Sequence, residues 1–194
     1  MIPLETLQKI CSTDESRYKL HKVFSQEEWT FATNGHIAIR VPLMLEIEPQ
    51  GTPNMVKLFD GVMFDHPNRV WIDVPEAVIE VITCDVCEGK KWTRPCSCEN
   101  GCNECDRSGW IICNQLDKGA QECFECDGVG ERRTGYVFVK APKGEVKLAS
   151  IYIELLHLLP NCKLGLLGDE LSTGDALCFR FDGGDGLLMP VRHP

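Results

Sequence analysis

Trp29-Thr30-Phe31-Ala32-Thr33-Asn34-Gly35-His36-Ile37-Ala38-Ile39-Arg40-Val41 holds two apolar-rich runs on either side of Asn-Gly. Asn-Gly in that setting predicts a β-hairpin, because a type I′ turn needs positive φ at both central positions. Toward the amino terminus, Tyr18 to Phe24 alternates in part and predicts a further strand. Before it, Leu4, Leu7 and Ile10 recur near the helical period, and Ser12-Thr13-Asp14 ends that pattern. Toward the carboxy terminus, Val70 to Val74 predicts another strand, and Val78 to Thr83 leads into a cysteine-rich region.

Beyond that region the pattern returns in kind. Tyr136 to Lys140 predicts a strand, ended by Pro142-Lys143-Gly144. Ala149 to Leu159 predicts an apolar helix closed by Pro160-Asn161. Lys163 to Leu167, Ala176 to Phe181 and Gly186 to Val191 predict three more strands. Asp182-Gly183-Gly184-Asp185 joins the last two and reads as a turn, since it lacks the spaced ligands of a calcium loop. Each half thus reads as a helix packed on an antiparallel sheet. The predicted class is α+β: a discontinuous domain over residues 1–82 and 134–194, interrupted by a module over 83–133.

Of twelve cysteines, nine fall between Cys84 and Cys126. Three pairs have two-residue spacing: Cys84/Cys87, Cys102/Cys105 and Cys123/Cys126. Cys96 and Cys98 lie between the first two pairs, and Cys113 follows the second. Two thiolates two residues apart bind one ion from a single turn, and a second such turn completes a tetrahedral shell. Eight thiolates predict two zinc ions, and thiolate softness favours that metal; an iron–sulfur cluster is the alternative. A disulfide framework needs an oxidising compartment, and Met1-Ile2-Pro3-Leu4-Glu5 has neither the basic start nor the apolar run of a signal peptide. A redox dithiol needs one pair between a strand and a helix, not three pairs in a turn-rich region. Cys11, Cys162 and Cys178 lie in apolar stretches and read as buried thiols.

Cys123-Phe124-Glu125-Cys126-Asp127-Gly128-Val129-Gly130 is a full Cys-x-x-Cys-x-Gly-x-Gly unit. Cys84 to Gly89 keeps only the first glycine, and Cys102 to Gly109 only the last. Glycine there lets the chain curl so that backbone N–H groups point at sulfur. The repeat, over Cys84 to Arg133, resembles the cysteine-rich zinc domain of DnaJ-type co-chaperones. The resemblance implies a zinc-binding β-hairpin module. It places Cys84, Cys87, Cys123 and Cys126 around one zinc. It places Cys102 and Cys105 with Cys96 and Cys98 around the other, and Cys113 is an alternative to Cys96 or Cys98.

The flanking sequence carries a second resemblance. Trp29 to Ala38 looks like the "ATDGHRLA" hairpin of bacterial DNA sliding clamps, and Gly186 to Arg192 like their terminal "VVMPMR". The resemblance implies a clamp domain built of two sheet-plus-helix halves. It implies that Met189, Pro190, Val191 and Arg192 border a pocket for client peptides. True clamps carry several domains per chain, and this chain has one. A solitary clamp-like domain with an inserted finger suits a phage or prophage protein.

The net charge of −9 disfavours unaided nonspecific nucleic-acid binding, which rests on neutralising phosphates. No apolar run reaches the length of a membrane span. His21, His36, His66, His157 and His193 show no ligand spacing, and phosphate loops, nucleophile elbows and paired-carboxylate motifs are lacking. The expectation is a cytoplasmic, non-enzymatic zinc protein accessory to DNA replication, binding protein partners and secondarily DNA. The alternative is a chaperone-like binding module. It would lack a J domain, since the nearest string to a His-Pro-Asp loop is Asp65-His66-Pro67-Asn68.

Overall fold

The computed structural model describes residues 2–12, 20–44, 46, 51–97, 110–123, 125–126, 128–141, 144–167 and 176–191. The elements in chain order are α1 (Leu4–Ile10), β1 (Phe24–Gln26), β2 (Trp29–Thr33), β3 (Ile37–Pro42), α2 (Met55–Asp60), β4 (Arg69–Asp73), β5 (Glu80–Thr83), β6 (Trp92–Pro95) and β7 (Trp110–Cys113). They continue with β8 (Gln121–Glu122), β9 (Glu131–Thr134), β10 (Tyr136–Ala141), β11 (Gly144–Ala149), α3 (Ser150–His157), β12 (Lys163–Leu167), β13 (Leu177–Phe181) and β14 (Gly184–Leu188). The protein is mostly sheet with few helices, an α+β arrangement. It divides into two units, Met1–Val78 with Gly135–Pro194, and Ile79–Thr134.

The larger unit is built on one antiparallel sheet in the order β1-β2-β3-β14-β13-β12-β4. A helix followed by three strands occurs in each half of the chain. The two three-strand runs meet where β3 pairs with β14, with Ala38 opposite Leu187 and Arg40 opposite Asp185. β4 lies at the far edge against β12, with Trp71 opposite Gly165. The two predicted sheets are therefore one.

Strand alternation sends successive side chains to opposite faces. Ile37, Ile39 and Val41 of β3, with Leu177, Phe179 and Phe181 of β13, pack with Leu7 and Ile10 of α1 and Ile153 and Leu156 of α3. The hairpin β10–β11 adds Val139, Val146 and Leu148 to the same core. On the other face Phe31, Ala38, Cys178 and Leu187 pack with Met55 and Phe59 of α2.

Several expectations change. In the first hairpin only Gly35 has positive φ (90°), so the turn is not type I′. Thr33 pairs with Ala38, which lengthens the loop. The Asn34 Oδ1 accepts from the N–H groups of His36 (3.0 Å) and Ile37 (3.1 Å) and closes it instead. Of the strand expected over Tyr18 to Phe24, Tyr18 and Lys19 lie outside the described residues, and β1 starts only at Phe24. Leu20, Val23 and Phe24 are all buried, a spacing that fits neither face of a strand. α2 and β11 were not expected. The last strand ends at Leu188, so Met189, Pro190 and Val191 follow it as a strap. The Met189 N–H donates to the His36 carbonyl (2.8 Å) and the Val191 N–H to that of Lys147 (2.9 Å).

In the smaller unit β5 pairs with β9, and β7-β6-β8 forms a three-stranded sheet. Trp92 sits opposite both Cys113 and Glu122.

Candidate metal centre

β5 ends at Thr83 and delivers Cys84; β8 ends at Glu122 and delivers Cys123. Each cysteine opens a tight turn that carries its partner, Cys87 or Cys126. The two turns are built alike. Positive φ recurs at Gly89 (78°) and Lys91 (72°) in the first, and at Gly128 (70°) and Gly130 (86°) in the second. They also bond reciprocally. The Cys84 N–H donates to the Gly130 carbonyl (2.9 Å), and the Cys123 N–H to the Lys91 carbonyl (2.8 Å). In both bonds the acceptor stands four residues beyond the other turn's second cysteine. The sequence shows glycine at one of these acceptors and lysine at the other, yet both have positive φ.

The four sulfurs lie within 4.8 Å of one another, and all four residues are buried. Cys84 Sγ and Cys123 Sγ are 3.8 Å apart, Cys87 Sγ and Cys126 Sγ 3.7 Å. A tetrahedron with ~2.3 Å metal–sulfur bonds has edges of about 3.8 Å. These four residues therefore lie together as a set that could hold a metal ion. The Gly130 N–H points at the Cys126 sulfur (3.2 Å), the contact expected of the glycine-rich turns.

Thiol acidity here is set by burial against backbone donors. Burial pushes the Cys123 thiol up to about 12. On Cys87 burial also acts upward, but the N–H groups of Lys91 and Gly89 and the neighbouring sulfurs outweigh it, and the thiol falls below its usual value. A cation replacing the thiol protons relieves the crowding of four sulfurs in one buried volume.

The second predicted set is described only in part. Cys98, Cys102 and Cys105 lie outside the described residues. Cys96 is half-buried, directly after β6. Cys113 is buried and pairs opposite Trp92, whereas Pro95 pairs opposite Trp110. Cys96 and Cys113 thus stand at opposite ends of the β6–β7 ladder, about 13 Å apart at ~3.3 Å per residue. No four-sulfur shell can contain both.

The remaining thiols are ordinary. Burial raises Cys11 to about 11 and also raises Cys178. Cys162, expected to be buried, is half-buried.

Met189 lines two adjoining cavities in the larger unit, of about 450 and 210 Å³, with Leu58, Ala176 and Leu187 common to both. Pro190 and Val191 line neither, and Arg192 lies outside the described residues. Leu58 comes from α2, which sequence reasoning missed; Asn54, whose Oδ1 caps the Lys57 N–H at 2.9 Å, was its only local signal. Among the described residues no helix is long and apolar enough to cross a membrane. No family model matches this chain, and neither a curated protein nor a solved structure matches it significantly.

Proposed function

We propose that this chain is a non-enzymatic interaction protein whose smaller unit is held together by structural zinc. The observation that carries the proposal is the buried set Cys84, Cys87, Cys123 and Cys126, with sulfur spacings that fit a closed four-thiolate shell. Soft thiolates select zinc over hard cations, and four protein ligands leave no open position for substrate. A second zinc on Cys96, Cys98, Cys102 and Cys105 completes the DnaJ-like arrangement. Metal analysis of the purified protein should give two zinc ions per chain. One ion would remove the second site, and iron with visible charge-transfer absorption would overturn the metal assignment.

We further propose that the larger unit is clamp-like and docks partners of a replication apparatus, in the setting of a phage or prophage. Support comes from a helix and three strands in each half, joined edge to edge at β3 and β14. It comes also from Met189 at the two adjoining cavities, the smaller of which is apolar, where a client peptide would insert. Met189→Ala should then weaken capture of partners from bacterial lysate at a cost in stability below that of a core truncation. A loss of roughly 2–5 kcal/mol on thermal or chemical unfolding would instead mark Met189 as plain core. Deleting residues 84–133 tells whether the finger or the larger unit selects the partner. Partner binding that is lost with the deletion would favour the chaperone-like reading.

A further inference from the structure

Each cysteine turn carries an acidic residue between its two ligands: Asp85 in the first, Glu125 in the second. Both reach the same cation. Arg132 Nη1 lies 2.6 Å from Asp85 Oδ1 and 3.1 Å from Glu125 Oε1. The position is fixed by β9, where Arg132 stands opposite Ile82 of β5, two residues before Cys84. One guanidinium therefore spans two turns that are distant in sequence and that must both stay in place around a metal.

Such a contact adds little to folding, because Asp85 is largely exposed, Arg132 and Glu125 are partly so, and ion pairs in contact with solvent are weak. Metal loss is a different matter. An ion leaves a four-thiolate shell stepwise, as one turn swings away and a competing ligand enters. A strut between the turns opposes that first opening. It also sets a positive charge beside a shell whose four thiolates exceed the charge of a divalent ion.

We infer that Arg132 is a clasp on the metal centre: by tying Asp85 to Glu125 it holds the two cysteine turns together and slows release of the ion. The inference rests on the metal-binding reading above. Arg132 is a positioning residue and touches no ligand position itself.

The test uses the full chain loaded with zinc and challenged with excess 4-(2-pyridylazo)resorcinol, which reports released zinc by colour. The relevant phase is the one that Cys84→Ser abolishes. Arg132→Gln should speed that phase about tenfold, in the range of other outer-shell losses, with Arg132→Lys in between. The double variant Asp85→Asn with Glu125→Gln should speed it as well. That arm separates a clasp from simple charge balance, because removing two negative charges beside the thiolates would otherwise slow release. Unchanged release in Arg132→Gln, or slower release in the double variant, overturns the inference. Failure of the underlying reading looks different: the unaltered protein would hold no zinc, and cobalt would give no tetrahedral thiolate spectrum.

Discussion

Lys91 is held at φ 72°, in the left-handed region that side chains avoid, at the place where the second cysteine turn has Gly130. The strain follows from the repeat, since the Lys91 carbonyl must receive the Cys123 N–H as the Gly130 carbonyl receives that of Cys84. A left-handed residue with a Cβ costs about 1–2 kcal/mol, and glycine gives back part of that through a looser unfolded chain. Lys91→Gly should therefore stabilise the metal-loaded smaller unit by roughly 0.5–1 kcal/mol in chemical denaturation. A loss of stability would mean that the lysine side chain contributes more than its backbone costs. The reverse change, Gly130→Ala, meets the Gly89 carbonyl oxygen at 2.7 Å. At this scale the sequence was informative about Cys84, Cys87, Cys123 and Cys126, because ligand spacing is a local property of the chain. It was silent on the likeness of Lys91 to Gly130, because backbone conformation is imposed there by a bond to a distant residue. Arg132 carried no signal either, since its partners are brought to it by strand pairing.

Elements were legible where one face is buried and the run is regular. Leu4–Ile10, Trp29–Thr33 and Lys163–Leu167 fall where periodicity puts them. β11 was overlooked although Val146 and Leu148 alternate inward, because the apolar run of α3 begins directly after it. α2 is too short for a helical period to show, and its existence depends on Met55 and Phe59 finding the sheet. One strand pair carries a sharper constraint. Phe179 of β13 faces Gly186 of β14, and its ring lies across the glycine. A Cβ there would stand 2.1 Å from Phe179 Cζ and 2.6 Å from the Ala38 carbonyl oxygen. Gly186→Ala should thus cost about 1–3 kcal/mol, the usual range of overpacking. Pairing it with Phe179→Leu should recover part of that loss; equal loss in both backgrounds would place the strain in the backbone contact.

The whole molecule comprises a sheet-based unit with a substantial apolar core and a smaller unit whose buried side chains include the four clustered cysteines. A core that small does not hold a chain of this length in place by apolar burial alone. Structural zinc in isolated finger peptides contributes on the order of 10–16 kcal/mol. Cys123→Ser, or a strong chelator, should therefore disorder the smaller unit and leave the sheet of the larger unit folded. Amide hydrogen exchange would show protection lost in Ile79–Thr134 and kept in β2, β3, β13 and β14; concerted loss in both would reveal a single cooperative unit. The interruption of one unit by another could be read from composition, because cysteine and glycine crowd into one region. That the flanking parts share a single sheet could not, because no local pattern specifies which strands become neighbours. The seam between β3 and β14 makes this concrete, joining Arg40 to Asp185 across 145 residues. During synthesis the ribosome releases Ile79–Thr134 long before residue 184. The metal-holding turns can close while β3 still has an unpaired edge, and that edge waits, open to wrong partners, until Gly184–Leu188 has emerged.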